Sequence, residues 1–177
     1  VLVGIASNGL HSNGFSLVRD VVEAAVQAGQ LDWMEAPPEL NTSLASALLA
    51  PTRIYVKPIL NLLRDFTVTG LVHVTGGGFE GNVPRVLPKG VRARIDPQAW
   101  PRPPVFGLLQ RLGELPESEM RRVFNCGLGM IAIVRREEAE DVIQRLEGLG
   151  ERAYRIGVVE RKAEADPPLL FETPGRP

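Results

Sequence analysis

Leu71-Val72-His73-Val74-Thr75-Gly76-Gly77-Gly78 is the segment from which both the architecture and the chemistry of this chain can be predicted. Its first four residues predict a short strand, and its glycines predict a loop. Glycine permits backbone conformations closed to other residues, so such a loop can bring its N–H groups close to a ligand. Because a helix beginning just beyond it would favour an anion, the segment predicts a phosphate-binding loop.

Polar residues on both sides of this loop support a binding site. His73 and Thr75 lie on the same side of the chain if the strand alternates regularly. Asn82 and Arg85 follow, one helical turn apart. Glycines also serve tight turns that bind nothing, and this alternative remains open.

A second polar loop has the same setting. The apolar run Val1 to Ala6 predicts a strand, and a helix predicted from Ser16 is ended by Gly29. His11 lies in the loop between them, so both histidines of the chain lie beside glycine-rich loops that follow apolar strands. Ligand sites of open sheets gather at such places, although Ser and Asn side chains there also satisfy ordinary turns.

Basic residues before a helix form a third candidate. Residues 52–56 are predicted to be extended, and the next helix is predicted to begin at Pro58 because proline suits a first turn. Arg53 then precedes a helix and offers a bidentate fork for phosphate, unless it is an ordinary solvated charge. The inward side chains predicted for this helix are Ile59, Leu62, Leu63 and Phe66.

The remaining pattern alternates strands and helices irregularly. Further strands are predicted at residues 91–95, 131–134, 154–160 and 169–171. Helices are predicted at 44–49, between Pro84 and Pro88, at 105–112, at 118–123 with Ser118 as cap, and from Glu137, and a frayed tail is predicted at 173–177. We expect an α+β fold, a three-layer α/β/α arrangement with a mixed sheet and helices on both faces.

Composition limits the possible classes of function. The chain has 177 residues, 44% of them hydrophobic, and a formal net charge of −1, which predicts one globular domain at 1–177 and argues against nucleic-acid binding. No apolar stretch is long enough to span a membrane, and the lone Cys126 is predicted to be a buried thiol, so we expect a cytoplasmic protein. Two histidines and one cysteine argue against a dedicated transition-metal site. The abrupt start at Val1 leads us to expect a longer natural polypeptide.

Four ordered segments resemble one family. They are Gly9-Leu10-His11-Ser12-Asn13-Gly14-Phe15-Ser16-Leu17-Val18-Arg19, Pro51-Thr52-Arg53-Ile54-Tyr55, His73-Val74-Thr75-Gly76-Gly77-Gly78 with Asn82-Val83-Pro84-Arg85-Val86-Leu87-Pro88, and Phe124-Asn125-Cys126-Gly127-Leu128-Gly129-Met130. The family is phosphoribosylformylglycinamidine cyclo-ligase, also called aminoimidazole ribonucleotide synthetase. The resemblance extends from Val3 to about Val159 and is to the C-terminal domain.

This resemblance implies an enzyme of purine biosynthesis that uses ATP and Mg²⁺ to close the imidazole ring of formylglycinamidine ribonucleotide. It also implies an N-terminal ATP-binding domain, which supplies most ATP and Mg²⁺ contacts and the main interface of a homodimer. That domain has no counterpart in this chain, so we expect the chain to be inactive alone. Two alternatives remain open: a sister enzyme that phosphorylates another substrate, and a non-catalytic module that binds a ribose phosphate.

The resemblance also assigns roles to individual residues. The backbone of Gly76 to Gly78, together with Thr75, would hold a phosphate, and His73 would have a polar catalytic role. The candidate substrate- or phosphate-binding residues are His11, Ser12, Asn13, Gly14, Thr52, Arg53, Thr75, Gly76, Gly77, Gly78, Asn82 and Arg85. Gly81 stands where the family often has Glu, and no role is assigned to it.

Overall fold

A computed structural model describes residues 1–172 of the protein, as six strands with helices between them. The strands are β1 (Leu2–Ala6), β2 (Val68–His73), β3 (Val91–Ile95), β4 (Leu128–Val134), β5 (Ala153–Arg161) and β6 (Leu169–Phe171). The helices are α1 (Phe15–Gln27), α2 (Leu44–Leu48), α3 (Val56–Asp65), α4 (Gly78–Asn82), a 3₁₀ turn (Val83–Val86), α5 (Pro104–Leu112), α6 (Glu117–Val123) and α7 (Ala139–Gly148). The predicted frayed tail, 173–177, lies outside the described residues.

The strands form one mixed sheet in the order β2-β4-β1-β5-β3-β6. Four neighbouring pairs are antiparallel, and β3 pairs with β6 in parallel. Strand β4 is antiparallel to both β1 and β2, so these two run in the same direction. The loops that follow β1 and β2 therefore leave the sheet at the same edge.

Helices cover both faces of the sheet, as predicted for the α+β class. On one face, Val18 of α1, Phe106 of α5 and Met120 of α6 pack over Leu2 and its neighbours. On the other face, α3 and α7 pack over Val3 and its neighbours. Strand β1 is buried along its whole length, which explains why its sequence is continuously apolar instead of alternating. The prediction of fold class is confirmed.

The beginning of α3 differs from the prediction. The helix starts at Val56 after Tyr55 as N-cap, so Pro58 is the third helical residue and not the first. The N–H groups of the first turn have no acceptor within the helix, so a proline there removes no helical hydrogen bond. The predicted extended segment therefore ends one residue earlier, at Tyr55.

The side of α3 that faces the core was predicted with one error. Ile59 and Leu62 are buried and Phe66 packs against the same core, but Leu63 is 48% exposed. Leu63 lies about 100° from Leu62 around the helix, on the side that it shares with the exposed Val56 and Leu60. The prediction for Leu63 is wrong.

Several other boundaries moved: β2 begins at Val68, three residues before the prediction, and α7 begins at Ala139, two residues after it. Helix α6 begins at Glu117 after Pro116, without a side-chain cap, so the predicted cap Ser118 lies inside the helix. Strand β4 begins at Leu128, three residues before the prediction, because pairing with Ala6 and His73 extends it past Gly129. No helix within residues 1–172 combines the length and hydropathy that crossing a membrane requires.

Leu62 and Leu63 provide a matched test of this packing. Replacing the fully buried Leu62 by Ala should lower the free energy of unfolding by about 2–5 kcal/mol, because it leaves a cavity under α3. Leu63→Ala should change it by no more than about 0.5 kcal/mol. Urea denaturation followed by circular dichroism measures both. Equal losses in the two variants would contradict the assigned orientation of α3.

Candidate functional site

A polar cleft of about 270 Å³ lies at the sheet edge where β1 and β2 end. Three segments build it: the loop after β1, the segment before α3 and the loop after β2. Its lining residues are His11, Ser12, Asn13, Thr52, His73, Val74, Thr75 and Gly76. The structure thus brings together residues from three motifs that are far apart in sequence. A cavity of about 290 Å³ on the open face of β3 and β5 is similar in size, so the chemistry of the cleft distinguishes it.

The glycine loop depends on left-handed backbone conformations. Gly77 has φ 92° and Gly78 has φ 56°, and the Gly78 N–H donates to the carbonyl of Thr75 at 3.0 Å. A Cβ atom on Gly78 would lie 2.0 Å from the carbonyl oxygen of Arg121, whereas one on Gly76 would meet nothing within 4 Å. Gly78 therefore allows the loop to pack against α6, and Gly76 leaves open space at the cleft.

Asn82 organises this loop from inside. Its buried side chain donates through Nδ2 to the carbonyl oxygens of Thr75 (3.3 Å), Gly76 (3.3 Å) and Gly78 (2.7 Å). The N–H groups of Gly76 and Gly77 have no acceptor within residues 1–172. A loop whose carbonyls are occupied and whose N–H groups are available favours an anionic ligand over a cation.

Two short contacts join the loops to each other. Asn13 is buried, and its Nδ2 donates to the carbonyl of Val74 at 3.0 Å, which ties the first loop to the third. The exposed hydroxyls of Ser12 and Thr52 lie 3.3 Å apart, one on each side of the cleft. Both hydroxyls can donate to or accept from a ligand.

His11 lines the cleft and also holds two of its segments together through hydrogen bonds. Its Nε2 accepts hydrogen bonds from the N–H groups of Asn8 (3.1 Å) and Arg53 (3.3 Å), so the neutral ring carries its proton on Nδ1. Burial, reinforced by the neighbouring basic groups of His73 and Arg53, lowers the pKa of His11 to about 4. His11 is therefore neutral at pH 7 and holds two loops together.

Tyr55 stands between the two histidines. Its ring centroid lies 6.1 Å from that of His11 and 6.1 Å from that of His73. Its hydroxyl donates to the carbonyl of Ala6 at 2.8 Å, and burial raises its pKa, so it stays protonated. A Cβ atom on Gly129 would lie 2.1 Å from this hydroxyl, so glycine is needed there. His73 itself is exposed at the end of β2.

Arg53 points away from the cleft. Its Nε lies 2.6 Å from Glu151 Oε2, and its two terminal nitrogens donate to Asn8 Oδ1 and the carbonyl of Gly150, each at 3.2 Å. These contacts fasten the segment before α3 to the turn between α7 and β5. The structure therefore places the guanidinium outside the cleft lining, and its contact with substrate stays a prediction.

Gly14 and Arg85 also lie outside the lining. Gly14 adopts φ 69° as the N-cap of α1, and a Cβ atom there would lie 2.5 Å from the ring of Phe124. Arg85 is exposed, and its Nη1 lies 3.5 Å from Asn82 Oδ1 at the edge of the glycine loop. Within the described residues Arg85 has no acidic partner, so its charge can face a ligand.

Asn125 is a residue of the site that the sequence pattern did not predict. This fully buried side chain donates to the carbonyls of Gly9 (2.9 Å) and Leu10 (3.2 Å) and accepts from Ser7 and the N–H of Gly127. It therefore shapes the backbone of the first loop from behind. One signal in the sequence could have indicated this residue: Asn125 is a single amide inside an apolar run. A buried amide must find hydrogen-bond partners, so it was a candidate for organising nearby backbone.

The described residues do not assemble a metal centre. Among residues 1–172, no three His, Cys, Asp or Glu side chains lie close enough to hold a metal ion. Cys126 is buried as predicted, and burial raises the pKa of its thiol to about 12, which makes it unreactive. The polar groups that line the cleft are hydroxyls, a side-chain amide and two imidazoles.

The fold and the cleft define a mixed-sheet α/β/α domain whose loops at one sheet edge are suited to an anionic ligand. Residues 1–166 match the family described as AIR synthase related protein, C-terminal domain, and the chain belongs to that family. It is 51% identical over 160 residues to phosphoribosylformylglycinamidine cyclo-ligase of Geobacter sulfurreducens, covering 90% of this chain and 45% of that protein. The cyclo-ligase of Syntrophotalea carbinolica is 48% identical over 169 residues, covering 96% and 47%. The predicted resemblance is confirmed.

Solved structures share the fold. Thiamine-monophosphate kinase from Stenotrophomonas maltophilia superposes with a TM-score of 0.60 at 19% identity, covering 97% of this chain and 49% of that one. HypE from E. coli, a hydrogenase maturation protein, gives 0.52 at 20% identity, covering 90% and 44%. The chain thus spans about half the length of the relatives that it matches.

Two glycines of the loop allow a controlled test of its packing. Gly78→Ala should lower the free energy of unfolding by at least about 2 kcal/mol, because it combines positive φ with a collision against the Arg121 carbonyl. Gly76→Ala should stay within about 1 kcal/mol of the parent protein. Urea denaturation measures the free energy of unfolding of both variants. A Gly78→Ala protein as stable as the Gly76→Ala protein would contradict the packing described for the loop.

The lowered pKa of His11 predicts a pH dependence of stability. The unfolded chain binds a proton at His11 below about pH 6.5, but the folded protein does so only near pH 4. Stability is therefore fully present above pH 6.5 and is lost as the pH falls towards 4, by up to about 3 kcal/mol. Denaturation of the parent protein and His11→Gln over this range measures the difference. A difference that does not change with pH would contradict a buried neutral His11.

Proposed function

We propose that this chain is the substrate-binding C-terminal part of an enzyme that closes the imidazole ring of formylglycinamidine ribonucleotide to give aminoimidazole ribonucleotide. The observation that carries the proposal is that the cleft is lined by residues from three of the four segments that resemble cyclo-ligases. A ribonucleotide monophosphate is also the kind of anion that a glycine loop with available N–H groups accommodates.

The chemistry of this reaction explains why the cleft needs polar residues that position the substrate and stabilise charge. An amide oxygen is a poor leaving group, so the enzyme transfers a phosphoryl group from ATP to that oxygen and releases ADP. The neighbouring nitrogen then attacks the activated carbon, and the C–O bond breaks as inorganic phosphate leaves. Positioning and charge stabilisation supply most of the rate enhancement in such chemistry.

Residues of the cleft and of its edge have proposed tasks in this scheme. The N–H groups of Gly76 and Gly77, with the Thr75 hydroxyl, hold a phosphate of the substrate, and Arg85 contributes its charge at the edge. Ser12, Thr52 and Asn13 orient the remainder of the ribonucleotide. His73, the exposed imidazole of the cleft, donates a proton or stabilises charge on the amide oxygen.

In this proposal the N-terminal domain implied by the family supplies the ATP-binding contacts and the Mg²⁺ site. We therefore assign no step of this domain to the metal. The complete enzyme is a cytoplasmic homodimer in this proposal. The 177-residue chain alone binds substrate but does not turn it over.

Product analysis tests the proposed reaction. The full-length polypeptide that carries this domain is incubated with ATP, Mg²⁺ and formylglycinamidine ribonucleotide, and ADP and the aminoimidazole product are measured together. Equal amounts of the two support the cyclo-ligase. ADP without the imidazole would indicate a sister enzyme that phosphorylates another substrate, and no turnover would indicate a non-catalytic ribose-phosphate module.

His73 gives a sharper test of mechanism. In the full-length enzyme, His73→Ala should lower kcat by about 100-fold or more, because a general acid or base typically contributes this much. Thr69→Ala is the matched control, since Thr69 is an exposed residue of the same strand at its opposite end and should leave kcat within about twofold. Steady-state assays measure both, and unchanged turnover of His73→Ala would remove His73 from the mechanism.

A further inference from the structure

The outer side of α3 exposes an unusual amount of apolar surface. Val56 (60% exposed), Leu60 (61%) and Leu63 (48%) recur at spacings of four and three residues, so they lie on one face of the helix. Ile54 (78%), just before the helix, extends this face, and we call the four side chains the α3 patch. Ile59 and Leu62 on the opposite face are buried against the sheet. A helix that is apolar on both sides is normally covered on both.

The patch is concentrated and not scattered. The other large apolar side chains exposed among residues 1–172 are Trp33, Met34, Leu49 and Leu149, which belong to three separate segments. Single exposed apolar residues are ordinary, whereas a contiguous set marks an interaction surface. Half of the exposed set therefore lies within ten consecutive positions, 54–63.

The patch borders the cleft. It begins immediately after Arg53, whose N–H binds His11, and two residues after Thr52 on the cleft wall. A partner that covers the Ile54 end of the patch therefore lies next to the segment that forms the Thr52 wall of the cleft. Lys57 is exposed at this end and has no acidic partner within the described residues, so it matches a covering surface that carries a carboxylate.

We propose that the α3 patch is the docking surface for the N-terminal half of the full-length polypeptide, which thereby closes one side of the cleft. This inference rests on the proposed function only for the existence of that half. The length of the docked half is inferred from the relatives, because this chain covers only 45–47% of their length. A domain docked beside Thr52 can present a phosphoryl donor directly to substrate held by the glycine loop.

A second copy of this chain fits the patch less well. Helix α3 has ten residues and is therefore about 15 Å long. Two such helices packed together bury far less than the roughly 800 Å² per partner of a stable association. A tethered domain needs less contact area, because attachment through the chain raises its effective concentration.

Hydroxyl-radical footprinting with mass spectrometry tests the proposal on the parent proteins. In the 177-residue chain, Leu60 and Leu63 should be labelled at rates similar to Leu49 and Leu149, the exposed internal references. In the full-length polypeptide, labelling of Leu60 and Leu63 should fall at least fivefold relative to these references. Equal labelling in both proteins would overturn the proposal. Protection already present in the shorter chain, together with its dimerisation in sedimentation velocity, would assign the patch to a second copy and overturn it too.

A charge substitution provides a second readout. In the full-length polypeptide, Leu60→Glu should lower kcat/KM for the ribonucleotide at least tenfold, because a carboxylate in an apolar interface separates the halves. Met34→Glu, at a similarly exposed apolar residue far from α3 in sequence, should leave it within twofold. Unchanged kcat/KM in Leu60→Glu would contradict the proposal.

The footprinting result remains distinguishable from the proposed function. Protection of Leu60 in a full-length polypeptide that forms no aminoimidazole would support the interface and reject the reaction. Normal ring closure with an unprotected patch would support the reaction and reject the interface.

Discussion

The placement of β4 between β1 and β2 is the constraint on which the rest of the structure depends. Because β4 is antiparallel to both, β1 and β2 end at the same sheet edge, and their loops meet across the start of β4. No contact between the loops would form if either strand ran the other way. The cleft is therefore a consequence of strand order, and its polar residues are added to a position that the sheet has already fixed.

Buried amide groups convert this position into a defined site. Asn13, Asn82 and Asn125 are each nearly excluded from solvent and each bind backbone carbonyls of the cleft loops. A buried side-chain amide is costly unless its hydrogen bonds are made, so these residues hold one loop conformation against its alternatives. Neutral His11 does the same between the first loop and the segment before α3. Among the described residues, the groups left available for a ligand include hydroxyls, backbone N–H groups, the exposed imidazole of His73 and the Arg85 guanidinium at the edge of the loop.

The sequence predicted most of the elements and most of the cleft, because both depend on local signals. Apolar runs, glycines and polar loop residues identified β1, β2, α1 and the site loops without knowledge of strand order. It did not predict the orientation of Arg53, since the position of Glu151 comes from a turn nearly a hundred residues away. It also missed Asn125, which acts only through loops brought to it by folding. Leu63 was misplaced because helical spacing alone does not distinguish a buried apolar face from an exposed one.

Amide chemical shifts would report binding of a ribonucleotide phosphate to the glycine loop and its partners residue by residue. The ¹⁵N-labelled 177-residue chain would be titrated with formylglycinamidine ribonucleotide. We expect saturable shifts that are largest at the amides of Ser12, Gly76 and Gly77. Shifts centred on the open face of β3 and β5, or none at saturating ligand, would contradict this expectation.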